Sequence, residues 1–438
     1  MARMPRLIAL AALASSVALC GACGASADVI PDRPGAPASV AVTVQPSSVA
    51  LAPSGASAFA ATVTGTLNPA VTWSVSPAGC GTVTQAGAYT APATTGTCQV
   101  KAVSVADGSR SGVAVVTVSD GATTGVCGAA AGQLFPPGVP WNTPIDAASV
   151  DAESAAITGY LATNHTSSSR FQITFDFNIL YADSGATRRS FTQTGDFYSP
   201  DCDPAPIPVP VGGRLESESA YACTTGGDCH LTVVDRSSCR LYEMWRADIS
   251  GGQWNGTPFN GGCQAIWNLS SVPPPSMRGE GCTSADAAGL PIVPLVFTAD
   301  EVAAGHIDHA IRFILPNNLI RHYVYVHPGT HSTGATSGGA SAPPYAARLR
   351  LKASKDISGL SAGAQVVAKA LKKYGMFLAD GGNITFTAAT DDLTAHKWTE
   401  VGVSSSSLKG LSWNDFEVVE LGTRYDFTDS CSRTPITN

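Results

Sequence analysis

Charged residues are scarce in this 438-residue sequence: Asp, Glu, Lys and Arg together make up 13%, about half the roughly 25% of ordinary soluble chains. The shortage is deepest on the basic side, with 26 Lys and Arg against 33 Asp and Glu, a net charge of −7 and no basic cluster. Nucleic-acid binding draws on grouped Lys and Arg to neutralise phosphates, so that class is set aside. Also missing are a Gly-x-Ser-x-Gly elbow, a P-loop, a dinucleotide fingerprint and a His-Glu-x-x-His pair. Serine-hydrolase, nucleotide and NAD chemistries therefore lack support, and no cofactor or metal is expected. Beyond the first 23 residues no run of about 18 apolar residues exists, so nothing else is expected to span a membrane.

Gly (44) and Pro (29), by contrast, are plentiful, a mix that suits a turn-rich β protein. Arg3 and Arg6, the apolar run Leu7 to Leu19 and the small-residue stretch Cys20-Gly21-Ala22-Cys23 read as an export signal over residues 1–23. Gly21-Ala22 before Cys23 resembles a bacterial lipobox, which implies lipidation at Cys23; plain signal cleavage is the alternative. The ten cysteines left after Cys20 and Cys23 are expected to form disulfides in an oxidising compartment.

A tether is expected over 24–37, then short alternating runs over 38–119 separated by turn residues, the pattern of a β-sandwich. The stretches "VTVQPSSVALAPSGASAFAATVTG", "AVTWSVSP" and "GTVTQAGAYTAPA" resemble a bacterial Ig-like group 2 domain. The resemblance implies a spacer or adhesive module, with Trp73 in its core and Cys80 bridged to Cys98. Residues 120–148 read as a linker, and 149–438 as a larger β-rich, carbohydrate-active domain, sandwich or jelly-roll-like, with a few packed helices. Cys127 and Cys431 bracket it, and a bridge between them would staple its ends. Helices are expected at Asp151 to Ala162, after a Thr298-Ala-Asp-Glu301 capping box, and from Ser361 to Gly375. The stretches "VVDRSSCRLYEMWRA", "CTSADAAGLPIVPLVFTADEVAAGHIDHAIRF" and "GLSWNDFEVVE" are similar to a family of secreted bacterial proteins of unknown function, which implies one exported domain and assigns no catalytic residue.

Candidate chemistry centres on residues 228–245, two strands joined at Ser237-Ser238. An even loop there pairs Asp235 with Arg240, Val233 with Tyr242, Thr232 with Glu243 and His230 with Trp245. Leu231, Val233, Tyr242 and Met244 then form a core face, while His230, Glu243 and Trp245 share the other: an imidazole, a carboxylate and an aromatic platform, the makings of a sugar groove. Asp235 is expected to bond Arg240. Glycoside cleavage needs two carboxyl groups; Glu243 is one candidate, and Asp286, in a loop of small residues, ranks above Asp308 as the second. A helix cap or Asx-turn is the structural alternative for Asp286, and a solvated strand position or a partner for Arg246 that for Glu243. His309 is a candidate for orienting the carboxylates. His306, His309, His322, His327 and His331 cluster in sequence; a His-x-x-His pair followed by a strand bearing others is a weak metal-site pattern, and ordinary surface or hydrogen-bonded histidines are the favoured reading. Trp254 and Trp267 flank a Gly- and Asn-rich stretch, where exposed rings stack on sugars and buried ones pack cores. The expected partner is a polysaccharide or cell-surface glycan, hydrolysed or only bound, with the membrane reached through the lipid anchor alone.

Overall fold

Runs of Val, Thr, Ile and Ala between Gly- and Pro-containing turns favour extended backbone, because β-branched side chains pack well on a pleated sheet and lose rotamer freedom in a helix. The computed structural model describes residues 39–46, 48–51, 55–94, 96–118, 127, 129, 132–250 and 257–438. These are mainly β, in several sheets, with three α-helices among the described residues. The signal, the tether, Cys23 and Trp254 lie outside them. The chain divides into two compact units, Met1–Asp120 and Gly121–Asn438.

In the first unit a four-stranded sheet runs in the order Ser48–Leu51, Ser111–Val118, Gly96–Ser104, Val71–Ser76, accompanied by a two-stranded and a three-stranded sheet. Val100, Ala102, Ala114 and Val116 alternate with exposed neighbours and bury one face against Phe59 and Tyr89. Cys80 and Cys98 are bridged, and Trp73 packs half-buried against this core.

Two larger sheets and three two-stranded ones build the second unit. A six-stranded one has the order Ile173–Phe177, Phe386–Ala389, Ile311–Leu315, Met376–Gly381, Arg348–Leu351, Phe416–Val418. A four-stranded one has the order Ile179–Ala182, Leu231–Asp235, Arg240–Met244, Gln264–Asn268. The chain passes from the first sheet to the second at Asn178, whose carbonyl accepts from Thr232 Oγ1 at 2.9 Å. The helix Ala362–Lys373 starts on Ser361, whose Oγ accepts from Ala364 N, and lays its apolar stripe on the main core. The Thr298–Glu301 capping box forms as expected and opens the helix Ala299–Ala304. The first helix, Ser154–Asn164, begins later than expected, because Asp151 binds Arg424 and Leu421 N instead of capping it.

Residues 132–148, read from sequence within a linker, are anchored in the core of this unit by a few side chains. Phe135, Val139 and Trp141 are fully buried, and Phe135 meets Trp141 edge-on at 5.1 Å. Their apolar bulk outweighs the loop signal of the surrounding prolines, which need no backbone donor partner. The disulfides also depart from expectation: Cys431 is bridged to Cys282 and Cys127 to Cys239, with Cys202–Cys263 and Cys223–Cys229 completing the set. Five bridges mark an oxidising compartment. No helix among the described residues is long and apolar enough to cross a membrane.

Candidate active site: an acid pair in the large unit

The hairpin has the expected register, with Thr232 opposite Glu243, Val233 opposite Tyr242 and Asp235 opposite Arg240. Its polar face, however, is not open. Val234, Leu241, Ala265 and Trp267 join the main core on that side, while Leu231, Val233, Tyr242 and Met244 face a second core. The segment Leu290–Leu295 packs into the same core, and its Ile292 and Val293 N–H groups donate to Glu243 Oε1 at 2.8 and 2.7 Å. Trp267 Nε1 donates to Oε2 at 2.9 Å. Burial pushes the Glu243 carboxyl up to about 7 against these donors. Glu243 is thus an internal fastener that does not line the cleft, and Trp267, buried beside it, offers no face to a sugar.

Asp235 takes a different partner from the one expected. It accepts from Arg188 Nη2 at 3.0 Å and from both turn serines, leaving Arg240 to bond the Asn438 carbonyl.

The open chemistry lies at Asp286. Ser284, Ala285, Ala287 and Gly289 keep its loop narrow, and Gly289 holds a left-handed turn (φ 76°) whose N–H returns to the Asp286 carbonyl. A Cβ at Gly289 would strike Thr330 Oγ1 at 2.3 Å. Fully buried Asp286 is clamped by Arg312, with Nε to Oδ2 at 2.8 Å and Nη2 to Oδ1 at 2.7 Å. Arg312 is the one charged residue of the apolar strand Ile311–Leu315. Burial opposes its charge, but Asp286 outweighs that and raises its pKa.

A third group joins them through a break in the sheet. Along the parallel pair, Phe313 faces Leu378 but Ile314 faces Asp380, so Ala379 is an extra residue. Bulges of this kind turn a strand and re-aim its side chains. Here the Ala379 carbonyl accepts from Ala288 N at 2.9 Å, and Asp380 comes to lie beside the Asp286 carboxyl, with its Oδ2 3.4 Å from Arg312 Nη2. Burial, then the adjacent Asp286 charge, hold Asp380 well above the usual carboxylate range. Two carboxyls side by side at one guanidinium cannot both ionise cheaply, and the raised affinity falls on Asp380, which keeps its proton.

The pair opens on a cleft of about 670 Å³ that Trp245, Asp228, Asp201 and His331 also line. Trp245 is half-buried, and its Nε1 donates to Asp228 Oδ1 at 2.9 Å. Asp201 Oδ1 accepts from Thr283 N at 2.8 Å. His331 Nδ1 bonds the Ala287 carbonyl at 2.7 Å, and burial lowers its pKa, so the ring is neutral and Nε2 carries the free lone pair.

Two expected residues act from behind this cleft or away from it. His230 Nδ1 meets Glu216 and its Nε2 bonds the Ala285 carbonyl at 3.0 Å, so it steadies the Asp286 loop. Burial lowers its pKa, but Glu216 more than reverses this and raises it to about 9. His309 bonds Glu301 and the Ala310 carbonyl; it fastens the helix Ala299–Ala304 and orients no carboxylate of the cleft. The histidine run disperses: His306 meets Asp308, His322 the Thr336 carbonyl, and His327 Glu280, leaving His331 alone at the cleft. Asp286, Trp245 and His331 therefore line the cleft together, Glu243, Trp267 and His309 do not, although Glu243 feels the Asp286 charge, and Asp380 and Arg312 were missed.

No family model matches the chain, and no curated protein matches it.

Proposed function

We propose that the chain is an exported carbohydrate-active protein whose cleft hydrolyses a glycosidic bond, with Asp380 as proton donor. The observation that carries this reading is the Asp286–Asp380 pair, clamped by Arg312 at the mouth of a cleft that also holds Trp245. A glycosidase needs one carboxyl kept protonated near neutral pH to assist the leaving oxygen. It also needs a second group some 5–10 Å away as nucleophile or base. Asp286 is too close to Asp380 for that role and instead keeps Asp380 protonated through its charge; Asp201, fixed by Thr283, is our choice for the second group. Trp245 supplies a ring for stacking on the apolar face of a sugar. A cleft of about 670 Å³ suits a few sugar rings. Lipidation at Cys23 would tether the protein, and an Ig-like module over 38–119 would act as spacer.

Binding without turnover is the second reading, favoured by the double engagement of Asp286 with Arg312. Incubating the full chain with a panel of oligo- and polysaccharides, following new reducing ends and bound glycan in parallel, separates the two. Reducing ends that vanish in Asp380→Asn support hydrolysis; binding with no product supports the second reading, and neither signal defeats both.

A further inference from the structure

A second cavity shares no lining residue with the cleft. It holds about 240 Å³, below the roughly 300–1,000 Å³ of sites for drug-sized molecules, so its occupant is small. Pro140, Ile145 and Leu421 give it apolar walls. Arg348 reaches it from the strand Arg348–Leu351, where its cross-strand neighbour is Phe377, and the guanidinium lies 4.7 Å over that buried ring.

The charge of Arg348 is unanswered. Arg278, Arg312, Arg321, Arg350, Arg424 and Arg433 are likewise withdrawn from water in part or whole, and each meets a carboxylate. Arg348 meets carbonyls instead: Nε and Nη2 donate to Tyr374 at 2.9 and 2.6 Å, and Nη2 also to Thr143 at 2.8 Å. Nη1, which is not sealed from solvent, has no partner among the described residues. Burial, with no acid opposing it, lowers the pKa to about 9, so the group is a cation at neutral pH. His327, also in the wall, has its Nε2 bonded to Glu280 Oε1 at 2.7 Å. Glu420, the one carboxylate of the wall, is exposed and forms no ion pair with Arg348. The two carbonyls account for how the Arg348 stem is held. They leave its third nitrogen and its charge for a visitor.

We propose that this cavity binds a small monocarboxylate with a compact apolar body, its carboxylate accepting from Arg348 Nη1 and its body lying against Ile145 and Leu421. A guanidinium–carboxylate hydrogen bond is about twice as strong as a neutral one, and an apolar wall excludes the water that would weaken it. A second negative charge would meet Glu420, which limits the class to single carboxylates. The site stands whether or not the cleft acts on glycans.

The test is calorimetric titration of the full chain at neutral pH with benzoate, its neutral analogue benzamide, the dicarboxylate phthalate, and acetate, which has the charge without the body. Benzoate is expected to bind about tenfold or more tighter than each of the other three. Arg348→Met is expected to bring the ratio of benzoate to benzamide toward one. Leu421→Trp, which fills the cavity and leaves Arg348 in place, should weaken benzoate about tenfold or more. Glu420→Gln, at an exposed position, should bring phthalate closer to benzoate. Benzoate that binds no tighter than benzamide or acetate, or shows no heat at about 10 mM, overturns the proposal. So does benzoate binding unchanged in Leu421→Trp, a reading that holds even if Arg348→Met fails to fold. Phthalate as tight as benzoate in the unaltered chain overturns the restriction to one carboxylate.

Discussion

Arg312 and Asp286 form a fork-on-fork ion pair, two N–H···O bonds of 2.8 and 2.7 Å with both side chains almost wholly out of water. Breaking one side of such a buried pair costs about 3–5 kcal/mol, because the remaining charge has no solvent. Arg312→Met should therefore lower unfolding free energy by that order in a urea titration. Arg312→Lys, which keeps the charge but loses the fork, should recover only part of it.

The proton on Asp380 has a second consequence. A carboxyl held above its ordinary range is an acid until pH climbs through its raised pKa, so turnover should fall on the alkaline side. Asp380→Asn copies the protonated carboxyl in shape and should change stability by less than about 1 kcal/mol, yet lower turnover by about 10² or more. Rate against pH, with circular dichroism as a check on folding, reads both.

His230 gives a stability signature independent of any substrate. Its folded pKa, about 9, lies above the unfolded value of 6.5. The folded state thus holds the proton more tightly, and the stabilisation is complete below pH 6.5 and lost as pH rises toward 9. The loss should be on the order of 3 kcal/mol. In Glu216→Gln, which removes the largest favourable partner of the imidazolium, this slope should flatten.

Cys282–Cys431 ties the C-terminal segment that carries Phe427 and Asp429 to the cleft wall. Cys282→Ser with Cys431→Ser should lower stability by about 2–5 kcal/mol. It should also weaken glycan binding, because two wall residues lose their anchor. Thermal melts and the glycan panel would show it.

Much of the architecture was legible because it is local. Period-two alternation around Ser237-Ser238 fixed the hairpin register, and Thr298 with Glu301 announced a helix start. The burial of Glu243 was not legible, since the donors that fill it, Ile292 and Val293, lie about fifty residues away. One local sign was present: Val234, Leu241 and Trp267 share its face, and three large apolar residues seldom look outward together. Small neighbours around Asp286 pointed to its loop. Arg312 and Asp380 left a fainter trace, a lone charge in Ile-Arg-Phe-Ile-Leu and another at the end of Met-Phe-Leu-Ala-Asp-Gly. A single charge in an otherwise apolar strand implies a buried partner, but the bulge that joins these two depends on the sheet.

The most direct test of the account sets two carboxyl variants side by side on the panel of oligo- and polysaccharides, following new reducing ends. Asp380→Asn should lose about 10² or more of kcat, while Glu243→Gln, altered only inside the core, should keep the wild-type kcat per folded molecule. The opposite pattern, activity surviving in Asp380→Asn and lost in folded Glu243→Gln, would return the chemistry to the hairpin interior and contradict the account.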